Sequence, residues 1–122
     1  MLIVENNEVS ITKGDNGMLT VDVELDDAAY TMVEGDTLTL TVRELPIKSS
    51  PELARVVSAS GDNRLFFKPS DTSDIPPGRY SADVELIQFD GSVHTIWPEL
   101  KGSAKYKIKN WNNFIVMPEV TD

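Results

Sequence analysis

The chain has no cysteine among its 122 residues. That absence rules out a disulfide framework and any thiolate metal site, and gives no sign of an oxidising compartment. A reduced setting, such as the cytoplasm of a bacterial cell, is expected. Histidine is nearly as scarce, with His94 the only one. Zinc centres draw on several His or Cys ligands, and a Ser-His-Asp arrangement would have to use His94 with Asp83 or Asp90. Its setting, Val93-His94-Thr95, reads instead as a solvated strand histidine. The nucleophile-elbow pattern Gly-x-Ser-x-Gly and a glycine-rich phosphate cradle are both missing.

Basic residues are also in deficit: 11 Lys and Arg face 20 Asp and Glu, a formal net charge of -9. Such a surface repels phosphate backbones and anionic membranes, which argues against nucleic-acid binding and membrane insertion. No apolar run approaches the roughly 18 residues that span a bilayer. The start Met1-Leu2-Ile3-Val4-Glu5 lacks the basic region of a signal peptide. A soluble protein is expected, with one domain and one core over residues 1–122.

What the sequence does have is period-two alternation, with almost no helical periodicity. Val9-Ser10-Ile11-Thr12 begins a short strand, stopped at Lys13 to Gly17. Leu19-Thr20-Val21-Asp22-Val23-Glu24-Leu25 alternates without a break, so one face packs inward and the other meets solvent. Asp26 to Tyr30 reads as a turn, and Leu38 to Leu45 as the next strand. Pro46 and Pro51 bound a loop, since proline lacks the ladder donor. Glu52 to Ala59 has Leu53, Val56 and Val57 at helical spacing, but its β-branched pair and short length favour a strand. Arg64 to Lys68 is another strand. The segment Pro69 to Pro77 is too rich in proline and small polar residues for a ladder, and is long enough to cross between sheets.

Next comes a hairpin: Gly78-Arg79-Tyr80-Ser81-Ala82-Asp83-Val84-Glu85-Leu86, a tight Asp90-Gly91 reversal, and Ser92 to Ile96. Ala104 to Lys109 and Trp111 to Met117 supply the last strands. The pairs Gly14-Asp15, Gly35-Asp36 and Gly61-Asp62 recur before strands, but their surroundings differ, so they are turn chemistry and not a repeat. About eight short strands with turns every ten or so residues are the pattern of an all-β, antiparallel two-sheet sandwich.

Candidate chemistry is thin. Asp15, Asp36, Asp71 and Asp74 are hard oxygen donors, yet none follows the spacing of a calcium loop. Glu24, Glu44, Asp83 and Glu85 would serve glycoside cleavage only as a pair held in a cleft with their pKa values pushed apart. Alternating along strands, they read as a solvated outer face. Neither a cofactor, a metal nor an enzymatic activity is expected. The aromatics Tyr30, Tyr80, Phe89, Trp97, Tyr106, Trp111 and Phe114 would make a sugar-stacking platform if they gathered on one exposed face; otherwise they fill the core or a contact between subunits. The candidate interaction surface is Trp97, Trp111, Phe114 and Ile115, and the segments 1–8 and 111–122 are candidates for docking or exchange.

Several of these motifs, in their order, resemble the N-terminal domain of phage baseplate upper proteins. They are Gly14-Asp15 before an alternating strand, Glu34-Gly35-Asp36 before the next, Asp71-Thr72 ahead of Ile75-Pro76-Pro77-Gly78-Arg79-Tyr80, and the Asp90-Gly91 hairpin ending in Thr95-Ile96. The resemblance implies an immunoglobulin-like β-sandwich and a non-enzymatic structural or assembly role in a phage or prophage tail. It further implies a virion location after synthesis in the bacterial cytoplasm, with other tail or baseplate subunits as partners, and self-association or a cell-surface glycan as further partners. The long helical and C-terminal regions of the larger subunits have no counterpart in this sequence. A stand-alone accessory is therefore expected in place of direct carriage of a receptor-binding tip. The alternative is a carbohydrate-binding module using Trp97 or Trp111.

Overall fold

A computed structural model of the chain describes residues 1–98 and 112–119. The expected strand over Ala104 to Lys109, together with Tyr106 and Trp111, lies outside the described residues. The rest is all-β apart from one helical turn. In chain order the elements are β1 (Leu2–Glu5), β2 (Glu8–Thr12), β3 (Gly17–Thr20), β4 (Glu24–Leu25), β5 (Ala28–Ala29), β6 (Thr37–Arg43), β7 (Glu52–Val57) and β8 (Arg64–Phe67). They continue with α1 (Pro69–Thr72), β9 (Gly78–Ile87), β10 (Val93–Trp97) and β11 (Phe114–Met117).

Seven strands form one mixed sheet in the order β1-β2-β11-β9-β6-β7, with β10 also paired to β9. β3 pairs with β8, and β4 with β5, as two small ladders. Most pairings are antiparallel, as the short turns dictate. The exception is β2 with β11, which run parallel, Phe114 opposite Val9 and Met117 opposite Thr12. The entirely antiparallel arrangement expected from the turn spacing is therefore not what forms. The two strands lie about a hundred residues apart in sequence, so no local turn sets their direction.

Alternation does place the core. Leu38, Leu40 and Val42 of β6 and Val84 and Leu86 of β9 are buried on one face. The β3–β8 pair contributes Leu19, Leu65 and Phe67 to the same cluster. Phe67 stacks on Phe114 of β11, ring centroids 5.9 Å apart, and so joins the small ladder to the large sheet. Among the described residues the buried apolar side chains make one core.

Three local departures from the expected strands have physical causes. The run Leu19 to Leu25 is not one strand: β3 stops at Thr20 because its partner β8 begins at Arg64, beyond the turn. There Asn63 takes over, accepting from the Val21 amide through its own carbonyl at 2.9 Å and donating its side-chain amide to the Val21 carbonyl at 3.1 Å. The expected turn at Asp26 to Tyr30 is a tiny hairpin, β4–β5, in which Asp26 and Asp27 adopt φ +52° and +62°. β1, not expected from the sequence, joins β2 through Asn6 and Asn7 with φ +51° and +61°. Asparagine and aspartate tolerate the left-handed backbone that two-residue hairpins need.

The crossing segment carries α1, capped when the Asp71 carboxylate accepts the Lys68 amide at 2.6 Å. Pro69 occupies its first turn, where the missing N–H costs nothing. The β9–β10 connection is longer than a two-residue Asp-Gly turn. Gln88 and Ser92 bond across Phe89, Asp90 and Gly91, and Gly91 takes φ +90°, the arrangement of a three-residue hairpin with a glycine bulge.

Candidate interaction site

Asp36 organises the end of the molecule that carries the β9–β10 turn. It is fully buried (0% exposed) between the start of β6 and that turn. Its Oδ2 accepts the Tyr30 hydroxyl at 2.6 Å and the Val33 amide at 3.0 Å, and its Oδ1 accepts the Phe89 amide at 2.9 Å. The Tyr30 hydrogen bond, with the backbone amides in support, holds its carboxyl below the usual range, against the opposing effect of burial. The same contact raises the Tyr30 hydroxyl pKa. With every oxygen engaged by the protein, Asp36 is a structural post.

A cleft of about 890 Å³ opens between β2, β9 and β10 on one side and the β3–β4–β5 segment on the other. Val9, Leu19 and Val84 give it an apolar floor, and Trp97 a wall. The indole is half-buried, and its Nε1 donates to Asn7 Oδ1 at 3.0 Å. Asn7 sits in the β1–β2 turn, so that hairpin fixes the ring. Asp22, Glu24, Asp26 and Asp27 rim the opening. An apolar floor under four carboxylates suits an apolar side chain flanked by cations. Among the described residues no group of three or more His, Cys, Asp or Glu side chains is placed to hold a metal ion.

The four candidate surface residues are not brought together. Trp97 lines the cleft. Phe114 is a core residue, 0% exposed and stacked on Phe67, so its place among surface candidates is corrected. Ile115, its neighbour on β11, is half-buried and pairs with Arg79 of β9. Trp111 lies outside the described residues. β11 as a whole is a docked segment, inserted between β2 and β9.

Nor do the other aromatics gather. Tyr80 is buried and its hydroxyl donates to the Pro76 carbonyl, Tyr30 is tied to Asp36, and Phe89 stands exposed in the β9–β10 turn. His94 Nε2 meets Gln88 Oε1 at 3.0 Å. Of the oxygen donors, Asp71 caps α1 and Asp15 contacts the N-terminal ammonium.

Arg43, Ser81 and Asp83 on the outer face of β6 and β9 carry no signal in the sequence beyond alternation. The structure leaves a side-chain atom of each buried without a hydrogen-bond partner among the described residues. Burial pushes the Asp83 carboxyl up, reinforced by Glu85 and opposed by Arg43 and Lys48.

No family model, curated protein or solved structure matches the chain. Among the described residues no helix is long and apolar enough to cross a membrane.

Proposed function

We propose that the protein is a non-enzymatic structural or assembly component of a phage or prophage tail, of the baseplate type, that works by binding other virion subunits. The fold this reading requires is an immunoglobulin-like sandwich. Two features support it. The pairing of β3 with β8 on one side, and the β7-β6-β9-β10 order on the other, follows the strand scheme of such sandwiches. Tyr80, at the start of β9 after a helical turn, bonds to a carbonyl four residues upstream, as the tyrosine corner of these domains does.

The observation that carries the contact role is the edge strand β7. No strand pairs with its outer edge among the described residues, and Leu53 and Val57 stand 39% and 55% exposed on it. Edge strands are normally guarded by unpaired charge or proline. Here the strand's own two charges, Glu52 and Arg55, pair with each other, and Glu52 also contacts Arg43 of β6. An open ladder with exposed apolar side chains invites strand addition from a neighbour.

Mass spectrometry of purified phage particles induced from the source strain tests this. Stoichiometric peptides of the chain in intact particles are expected, and Val57→Lys should reduce its incorporation. Absence from infectious tailed particles, with the protein abundant in the lysate, would overturn the proposal. A carbohydrate-binding module is the second reading, favoured by the indole of Trp97 in the wall of the cleft. A saturable change in tryptophan fluorescence on adding glycans would bring it forward.

A further inference from the structure

The loop Glu44 to Ser50 overhangs the outer face of β6 and β9 and encloses a second pocket of about 250 Å³. Its conformation is fixed from within: the Leu45 amide donates to Ser50 Oγ at 3.3 Å, and the Ser50 amide to the Ile47 carbonyl at 3.0 Å. Leu45, Pro46 and Ile47 form an apolar wall. Facing it are five polar strand residues, Thr41 and Arg43 from β6, Ser81 and Asp83 from β9, and Thr95 from β10, and Lys48 of the loop itself also lines the space. Register explains the grouping, because Thr41 lies opposite Asp83 and Arg43 opposite Ser81.

Three of these side chains are unusual in the same way. Arg43 Nε, Ser81 Oγ and Asp83 Oδ1 are each buried without a hydrogen-bond partner among the described residues. Ser81 is only 4% exposed. Buried polar atoms are nearly always satisfied, so three beside one pocket ask for a common partner.

Their chemistry limits what that partner is. Arg43 Nε only donates, Asp83 in its ionised form only accepts, and Ser81 does either. A single anion would meet the Asp83 carboxylate and a single cation would meet Arg43 and Lys48, since both signs of charge line the same space. A neutral hydroxyl both donates and accepts. A peptide amide offers one donor and one acceptor, fewer than five polar residues can use. A sugar offers several hydroxyls on neighbouring carbons, together with a C–H face for Leu45, Pro46 and Ile47.

We infer that the pocket under the Glu44–Ser50 loop is a binding site for one neutral saccharide unit, with Arg43, Ser81 and Asp83 as its hydroxyl-recognising side chains. This site shares only Thr95 with the Trp97 cleft, takes no lining residue from β7, and does not rest on the tail-component proposal. With one small, half-open pocket, the dissociation constant for a monosaccharide falls in the millimolar range.

The test is amide NMR on the full chain, titrated with a panel of neutral hexoses, pentoses and N-acetylhexosamines, with a uronic acid and an amino sugar alongside. Saturable shifts are expected at Thr41, Arg43, Ser81 and Asp83, which line this pocket and not the Trp97 cleft, with at least one neutral sugar. Ser81→Ala and Asp83→Asn should each weaken that response roughly tenfold while preserving the fold. Met18→Ser, an exposed change on β3, should leave it unaltered. The inference is overturned if no neutral sugar shifts these amides, if only the charged sugars do, or if the response survives both variants. Whether the chain appears in phage particles has no bearing on any of these outcomes.

Discussion

Asn113 bonds to Ala82 as a neighbouring strand would, but with its side chain. Its Oδ1 accepts the Ala82 amide at 2.8 Å and its Nδ2 donates to the Ala82 carbonyl at 3.0 Å. Beside β9, β11 covers Gly78 to Tyr80 and β10 covers Val84 to Ile87. The Asn113 amide fills the gap between them, and its own carbonyl accepts from Val9 of β2 at 2.9 Å. Ala82 is buried, so without this side chain both of its backbone groups would be orphaned.

Asn113→Ala should therefore cost about 2–3 kcal/mol of stability in a urea titration, far more than a surface asparagine. Asn113→Asp supplies the acceptor but, when ionised, not the donor. Its destabilisation should shrink as pH falls and the new carboxyl is protonated; equal loss at neutral and acid pH would contradict this account.

Phe114 and Ile115 separate core from surface on adjacent residues. Phe114→Ala removes the ring stacked on Phe67 and should cost about 3–5 kcal/mol. Ile115→Ala should cost about 1 kcal/mol, since Ile115 is only half-buried. Thermal unfolding of the two variants measures the difference.

Gly35 and Gly91 both hold positive φ, +98° and +90°, but their surroundings differ. A Cβ on Gly35 would lie 2.7 Å from Phe89 Cβ, while one on Gly91 would meet nothing within 4 Å. Gly91→Ala should cost about 1–2 kcal/mol from backbone strain alone. Gly35→Ala should cost more and should displace the Phe89 resonances in an NMR spectrum, which Gly91→Ala leaves in place.

Two aspartates should give opposite pH signatures. Asp36 has its folded pKa lowered, first by the Tyr30 hydrogen bond. Its contribution is present above the unfolded carboxyl pKa and is lost as pH falls through the folded value. Asp83 has its folded pKa raised, first by burial. Its contribution is present below the unfolded pKa and is lost as pH rises through the folded value. Asp83→Asn should thus raise stability at neutral pH and lose that gain in acid. Asp36→Asn should lower stability at neutral pH and flatten the acid limb. Denaturant midpoints measured from the acid range to neutrality give both signs.

Alternation alone makes the all-β class, the inward faces of β6 and β9 and the β9–β10 hairpin legible in the amino-acid sequence. Side chains on a strand point to opposite faces with period two, so Leu38, Leu40 and Val42 are bound to share one. Turn residues locate most of the connections for the same local reason, as glycine and aspartate supply conformations that others resist. The Asn6-Asn7 hairpin is not legible in this way, because asparagine pairs also occur in ordinary loops. Nor is the break after Thr20, because Leu19 to Leu25 alternates perfectly and only the length of the partner β8 ends the ladder.

The decisive tertiary features are long-range. Which residue of Asn112, Asn113 and Phe114 points inward depends on where β11 docks, and its parallel partner β2 lies about a hundred positions away. The grouping of Arg43, Ser81 and Asp83 depends on the register of β6 against β9 and on the overhang of a loop. What each strand can bury is set by the sequence alone, because it follows from geometry within a few residues. Which strands meet is decided by the folded whole, where the closure of long loops must be repaid by the core they bring together.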